Sequence, residues 1–237
     1  LPNLVGGSAD LAPSNNTYIK DGGDYSAENR SGRNMHFGVR EHAMAAICNG
    51  MALHGGLRVF CGTFFVFSDY MKHAIRMSAI MKLPVTYVLT HDSIGVGEDG
   101  ATHQPIEQLA GLRAVPDMLV FRPADGRETT AAWLTALTSG LPTCLVLTRQ
   151  SLPQYNHCGR CGFKGGYILS DCDRTPDVLL MASGSEVASS PCPAWKRSSS
   201  RMTNTANPSC PTPSVPAWPW KPALPCLGIA SRVWTAR

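Results

Sequence analysis

Residues 91–104, HDSIGVGEDGATHQ, concentrate two histidines, three acids and three glycines in fourteen positions. Glycine permits positive φ and close approach of a ligand to the backbone. Carboxylates and imidazoles in such a loop can hold a polyhydroxyl ligand through charge-assisted hydrogen bonds. A polar surface loop is the plainer reading. Upstream, Phe64, Phe67 and Tyr70 recur at three-residue spacing in GTFFVFSDY. Rings so spaced either fill a core or wall a flat heterocycle. Glu41 lies between Arg40 and His42 in a run of helical apolar period. It belongs either to a solvated helix face or to an apolar pocket, where desolvation would raise its pKa and let it share a proton near neutrality. Cys158 and Cys161 have zinc-knuckle spacing, with only His157 and Cys172 near enough to complete a site, so no metal site is assigned to the chain. Cys48 and Cys61 stand in apolar surroundings and are expected as buried free thiols.

The elements that must position these groups alternate. Apolar periodicity predicts helices over 38–54, 68–82, 105–114 and 128–138, with Ser68 or Asp69 capping the second. β-branched and apolar runs predict strands over 57–60, 84–90, 118–122 and 143–148. This order predicts an α/β fold, a parallel sheet flanked by helices. Functional groups in such sheets gather beyond the carboxyl ends of strands. That edge would hold 61–67, 91–104 and Arg149. Residues 155–168 read as a Gly- and Cys-rich linker, and 177–182 (DVLLMA) as the first strand of a further domain beginning over 169–187, with no recognisable helix after Glu186.

The 237 residues suit one large domain or a domain and a half. No apolar run is long enough to span a bilayer, so no membrane partner is expected. The chain starts at Leu1 with neither a Met nor a signal peptide, which reads as a fragment of a cytoplasmic protein. All 17 acidic residues precede Val187, while the segment from there on carries six basic residues, nine of the 18 prolines and four of the five tryptophans, without periodicity. A nucleic-acid arm is one reading of that tail. A stretch with no natural history is the other, and residues 188–237 are then expected to be disordered, with no nucleic-acid partner.

Taken together, GGSADLAPSN (6–15), GRNMHFGVREHAM (32–44), GTFFVFSDY (62–70), THDSIGVGEDGATHQPIEQL (90–109), RPADG (122–126) and LTRQSLPQ (147–154) resemble the transketolase family, in that order, over about residues 1–187. The resemblance implies that residues 1–154 are a pyrimidine-binding domain for thiamine diphosphate. It implies Glu41 as the catalytic glutamate at N1′ of the aminopyrimidine, and Phe64, Phe67 and Tyr70 as the pocket around that ring. It further implies Ser14, His91 and Arg149 as holders of a substrate phosphate, Asp99 as a reader of a substrate hydroxyl, and His103 as a catalytic and substrate-binding group near the reacting carbonyl. Ala101 departs from the family's usual proline and loosens the turn without removing a functional group. The family's activity is transfer of a two-carbon ketol unit between sugar phosphates in the pentose phosphate pathway. Its sites lie between the subunits of a homodimer, and an N-terminal domain supplies the ligands for Mg2+ or Ca2+. A chain without that domain would hold half of each site. Dihydroxyacetone synthase and a non-catalytic interaction protein on the same fold are the alternatives, since fold alone does not confer activity.

The tail also admits a second reading frame. Codons for residues 195–209 can be chosen so that the overlapping frame reads LEAFEQQDDEYRQSV, and those from Pro213 so that it reads SVRARVAVEAGTSLPWYR. Both strings resemble the family's C-terminal domain. Residues 188–237 are therefore expected to be out of frame.

Overall fold

The computed structural model describes residues 1–92, 94–155, 161–169 and 181–189. Six strands, β1 (Leu4–Ser8), β2 (Asn34–His36), β3 (Arg58–Phe64), β4 (Val85–Asp92), β5 (Leu119–Phe121) and β6 (Thr143–Thr148), form one sheet in the order β2-β1-β3-β4-β6-β5. Every pair is parallel. The helices are α1 (Ala12–Asn15), α2 (Glu41–His54), α3 (Ser68–Ile80), α4 (Gln108–Arg113), α5 (Gly126–Thr138) and α6 (Glu186–Ser189). The α/β expectation is met.

β4 is buried along its whole length, which accounts for its continuous VTYVLT run, the mark of a strand covered on both faces. On one face α2 and α3 bring Met44, Cys48, Met71 and Ile75 against Val59, Tyr87 and Leu89. The phenol of Tyr87, buried there, donates to Asn49 Oδ1 at 3.0 Å, and Asn49 Nδ2 donates to the Ala74 carbonyl at 2.8 Å. A polar group in the core is thus satisfied by the two covering helices. Cys48 and Cys61 are buried and free, as expected, and so is Cys144. Alternate strand residues face opposite sides, so Phe60 lies on the other face, edge-on to Trp133 of α5 at 6.1 Å.

Two strands escaped the sequence. β1 reads LVGGS, whose paired glycines argue against a strand by composition. The packing explains them: a Cβ at Gly6 would strike the Phe60 carbonyl and ring, and one at Gly7 the Met35 carbonyl. We expect Gly7→Ala to cost at least about 1–3 kcal/mol, the range for overpacking, as a lowered urea midpoint. An unchanged midpoint would show that β1 and β2 are not this close.

The strand expected over 57–60 continues to Phe64, so residues 61–64 lie in the sheet and not in a loop. Cys61, Thr63 and Phe64 are buried, and all three pair with β4. Helix α3 is not capped by Ser68 or Asp69. Its N-cap is Phe67, with no side-chain cap, because α3 runs on directly from the 3-10 turn Phe65–Phe67. Asp69 instead accepts from Gln108 Nε2 at 2.8 Å. α4 is shorter than expected, and Gln108 Oε1 takes the Ile106 N–H at 2.8 Å ahead of it. α5 starts two residues before its predicted 128. The Asp125 carboxylate accepts the Glu128 N–H at 2.9 Å, and the Glu128 carboxylate accepts the Ala124 N–H at 2.7 Å, a variant of the reciprocal capping box.

A one-turn helix, α6, does follow Ser185. It is tied to the sheet by Arg122, which donates to Glu186 Oε1 at 2.7 Å and to the Ser183 carbonyl at 3.3 Å. Within the expected linker, Cys161–Lys164 forms a 3-10 turn. The strand expected over 177–182, the knuckle partners His157, Cys158 and Cys172, and the tail from 190 onward lie outside the described residues, apart from positions 181 and 182, which are not in a strand.

Candidate active site

The carboxyl ends of β3, β4 and β6, together with α1 and the residues that follow it, border one cleft of about 750 Å³. Ser14 on α1, Phe64 at the end of β3, His91 near the end of β4, Asp99 in the 3-10 segment Ile94–Asp99, and Arg149 just past β6 all line it. Five of the nine residues singled out from the sequence therefore share one cavity. They are separated by up to 135 positions in the chain and are brought together by the parallel order of the strands.

His91 reaches the cleft through an irregularity. The β4–β6 register shifts between Leu89 and Asp92, and His91 has φ +62°, in the left-handed region. A bulge re-aims a side chain that a regular strand would send to a fixed face. The His91 ring stacks on Phe64 with centroids 3.7 Å apart.

Phe64, Phe67 and Tyr70 do form a row. Phe64 and Phe67 are 5.9 Å apart with planes inclined by 12°, and Phe67 and Tyr70 are 5.9 Å apart at 30°. The cause is not a single helix face. The three residues end a strand, end a 3-10 turn and begin a helix, and side chains three apart eclipse in 3-10 geometry. Burial falls along the row: Phe64 is 8% exposed and Tyr70 67%. The core reading thus fits Phe64 alone. His103 lies outside the cleft lining and sets its ring edge-on to Phe67 at 5.2 Å and Phe64 at 6.1 Å, with Nδ1 2.9 Å from Thr102 Oγ1.

Glu41 opens α2 and is 9% exposed, so it is not on a solvated face. No ion pair of its carboxylate occurs among the described residues. What makes a buried carboxylate tolerable there is its place in the first turn of a 14-residue helix, where free N–H groups and the helix dipole favour negative charge by about 0.3–1 kcal/mol or more. Glu41 does not line the cleft.

Sequence reasoning missed the polar floor of the cleft. Asn15 and Thr90 line it and are buried and joined, Thr90 Oγ1 donating to Asn15 Oδ1 at 2.6 Å. Residues 75 apart in sequence carry no mutual signal. Arg122 stands in RPADG, where nothing local marks it out from its neighbours. Its guanidinium donates at 2.6 Å to Oδ2 of Asp92, the residue after His91, with side-chain exposures of 12% and 4%. Among the described residues no group of three His, Cys, Asp or Glu could hold a metal ion, and no helix is long and apolar enough to cross a membrane.

The fold and cleft define an α/β domain with a cleft at the carboxyl edge of a parallel sheet. Residues 1–154 match the family described as transketolase, pyrimidine binding domain. The chain belongs to the transketolase family. It is 61% identical over 193 residues to the transketolase of Bacillus subtilis strain 168, a match that covers 79% of this chain and 29% of that protein. The crystal structure of Pichia stipitis transketolase in complex with sedoheptulose 7-phosphate superposes with a TM-score of 0.76 at 47% identity, covering 79% of this chain and 29% of that one. A split-gene transketolase, an inactive beta4 tetramer, is 32% identical with a TM-score of 0.52, covering 65% of this chain and 47% of that one. The chain thus spans less than a third of the length of the curated relatives it matches.

Proposed function

We propose that this chain supplies the pyrimidine-binding half of a transketolase active site, in which a two-carbon ketol unit passes from a ketose phosphate to an aldose phosphate in the pentose phosphate pathway of the cytoplasm. The observation that carries the proposal is the convergence of Ser14, His91, Asp99 and Arg149 on one cleft beside a row of stacked rings. A cleft that sets one guanidinium, one carboxylate and several hydroxyls around it suits a sugar phosphate: Arg149 and Ser14 for the phosphate, Asp99 for a sugar hydroxyl.

The chain's residues also fit thiamine diphosphate. A graded aromatic row offers ring faces to a flat heterocycle, and Glu41 is a buried carboxylate with no cation to neutralise it among the described residues. When bound, that cofactor supplies the electron sink for breaking and forming the carbon–carbon bond. Phe64, Phe67 and Tyr70 would orient the aminopyrimidine and keep water from it. Glu41 would hold a proton at its N1′ atom. His103, packed against Phe64 and Phe67, would stand near the substrate carbonyl. The diphosphate and its Mg2+ or Ca2+ need ligands from a further domain, contributed across a homodimer. The unit at 1–154 is the catalytic contribution of this chain, and the C-terminal domain begins beyond it.

Calorimetric titration of the purified chain with thiamine diphosphate and Mg2+ is expected to show no binding at micromolar concentrations. A micromolar Kd would overturn the half-site reading.

A further inference from the structure

The buried polar groups under the cleft form one directional chain of hydrogen bonds. Ser8 Oγ lies 2.9 Å from the Gly62 carbonyl oxygen, which can only accept, so the Ser8 proton points there. The same Ser8 oxygen accepts the Leu11 N–H at 3.2 Å and Asn15 Nδ2 at 2.9 Å. This orients the Asn15 amide, with Nδ2 toward Ser8 and Oδ1 toward Thr90 Oγ1, 2.6 Å away. Oδ1 only accepts, so the one hydroxyl proton of Thr90 is committed to it. Thr90 Oγ1 is then an acceptor for the atom on its other side, His91 Nδ1, at 3.0 Å. The opposite polarity fails at its first link. With the amide turned over, Ser8 would direct its proton to Asn15, and its oxygen would face the Gly62 oxygen at 2.9 Å with no proton between them.

We propose that Asn15 and Thr90 are positioning residues that lock His91 as its Nδ1–H tautomer and leave Nε2 as a bare lone pair for the ligand. The Gly62 carbonyl sets that choice through three side chains. The surroundings agree with a neutral ring. Burial lowers the His91 pKa, the Asp99 carboxylate opposes this, and Arg149 and His103 reinforce it. Stacking on Phe64 fixes the ring plane.

The bare Nε2 constrains the chemistry of the ligand, a step that rests on the sugar-phosphate reading above. Nε2 can accept from a sugar hydroxyl or from a singly protonated phosphate. A fully ionised phosphate can meet it only together with a proton taken up on Nε2. The tautomer itself is independent of any ligand, so it is tested without one.

Nitrogen NMR of the 237-residue chain labelled at histidine reads the tautomer directly. His91→Asn identifies the His91 signals, since asparagine tolerates the left-handed backbone. We expect a pyrrole-type Nδ1 and a pyridine-type Nε2 in the unaltered chain, the same pattern in Thr90→Ser, and its loss in Thr90→Val. A pyrrole-type Nε2 in the unaltered chain overturns the proposal whether or not the Thr90→Val chain folds. An unchanged pattern in a folded Thr90→Val chain also overturns it.

Discussion

Glu41→Gln, placed in a protein completed with the remaining transketolase domains, is expected to lose two-carbon transfer by about 10²–10⁴-fold, the usual contribution of a positioned proton-handling group. Glutamine keeps the shape and the first-turn position on α2 but cannot take up or release a proton. The measurement is turnover of xylulose 5-phosphate with ribose 5-phosphate. The loss should fall on kcat and kcat/KM alike, because the interaction is one made in the reacting state. Glu41→Asp should restore little, since a carboxylate one methylene shorter at the head of a fixed helix misses its target. Activity within about threefold of the parent would rule out the role assigned to Glu41, given that such groups contribute at least about a hundredfold.

Arg122→Met carries the largest expected effect on stability. The Asp92 carboxylate, 4% exposed, has the Arg122 guanidinium at 2.6 Å. Removing one partner of a buried ion pair strands the other, at about 3–5 kcal/mol. The same arginine ties Glu186 and Ser183 to β5, so the described stretch 181–189 would lose its anchor with it. The second replacement Asp92→Asn, added to Arg122→Met, should recover part of the loss, since the stranded charge is gone. Urea unfolding of the three chains measures both effects. A single-mutant cost below about 1 kcal/mol would place this pair among ordinary surface bridges.

How much of this was legible in the sequence depends on the kind of signal. The long, wholly buried β4 announced itself, because a β-branched run between turn residues has few other uses. α2, α3 and β6 were legible for similar reasons of length and period. β1 was not, since its glycines answer to the carbonyls of Phe60 and Met35 and not to any local preference. The row Phe64–Phe67–Tyr70 shows a partial success. The spacing was visible, but its cause, a strand running through a 3-10 turn into a helix, was not. The cleft residues His91, Asp99 and Arg149 could be placed at one edge by the strand order alone. Asn15, Thr90 and Arg122 could not, because nothing in the sequence says which side chains meet across 30 or 75 positions. Glu41 lies between these cases: its helix was legible and its burial was not.

The left-handed backbone at His91 has a bearing on how this protein can change. A position with φ near +60° accepts glycine, asparagine, aspartate and histidine far more readily than branched side chains. Mutational drift there is sieved by the main chain before it is sieved by chemistry. A neutral path from imidazole to an aliphatic group is closed by geometry, whatever the demand for catalysis. The bulge narrows the alphabet available to the site at this position.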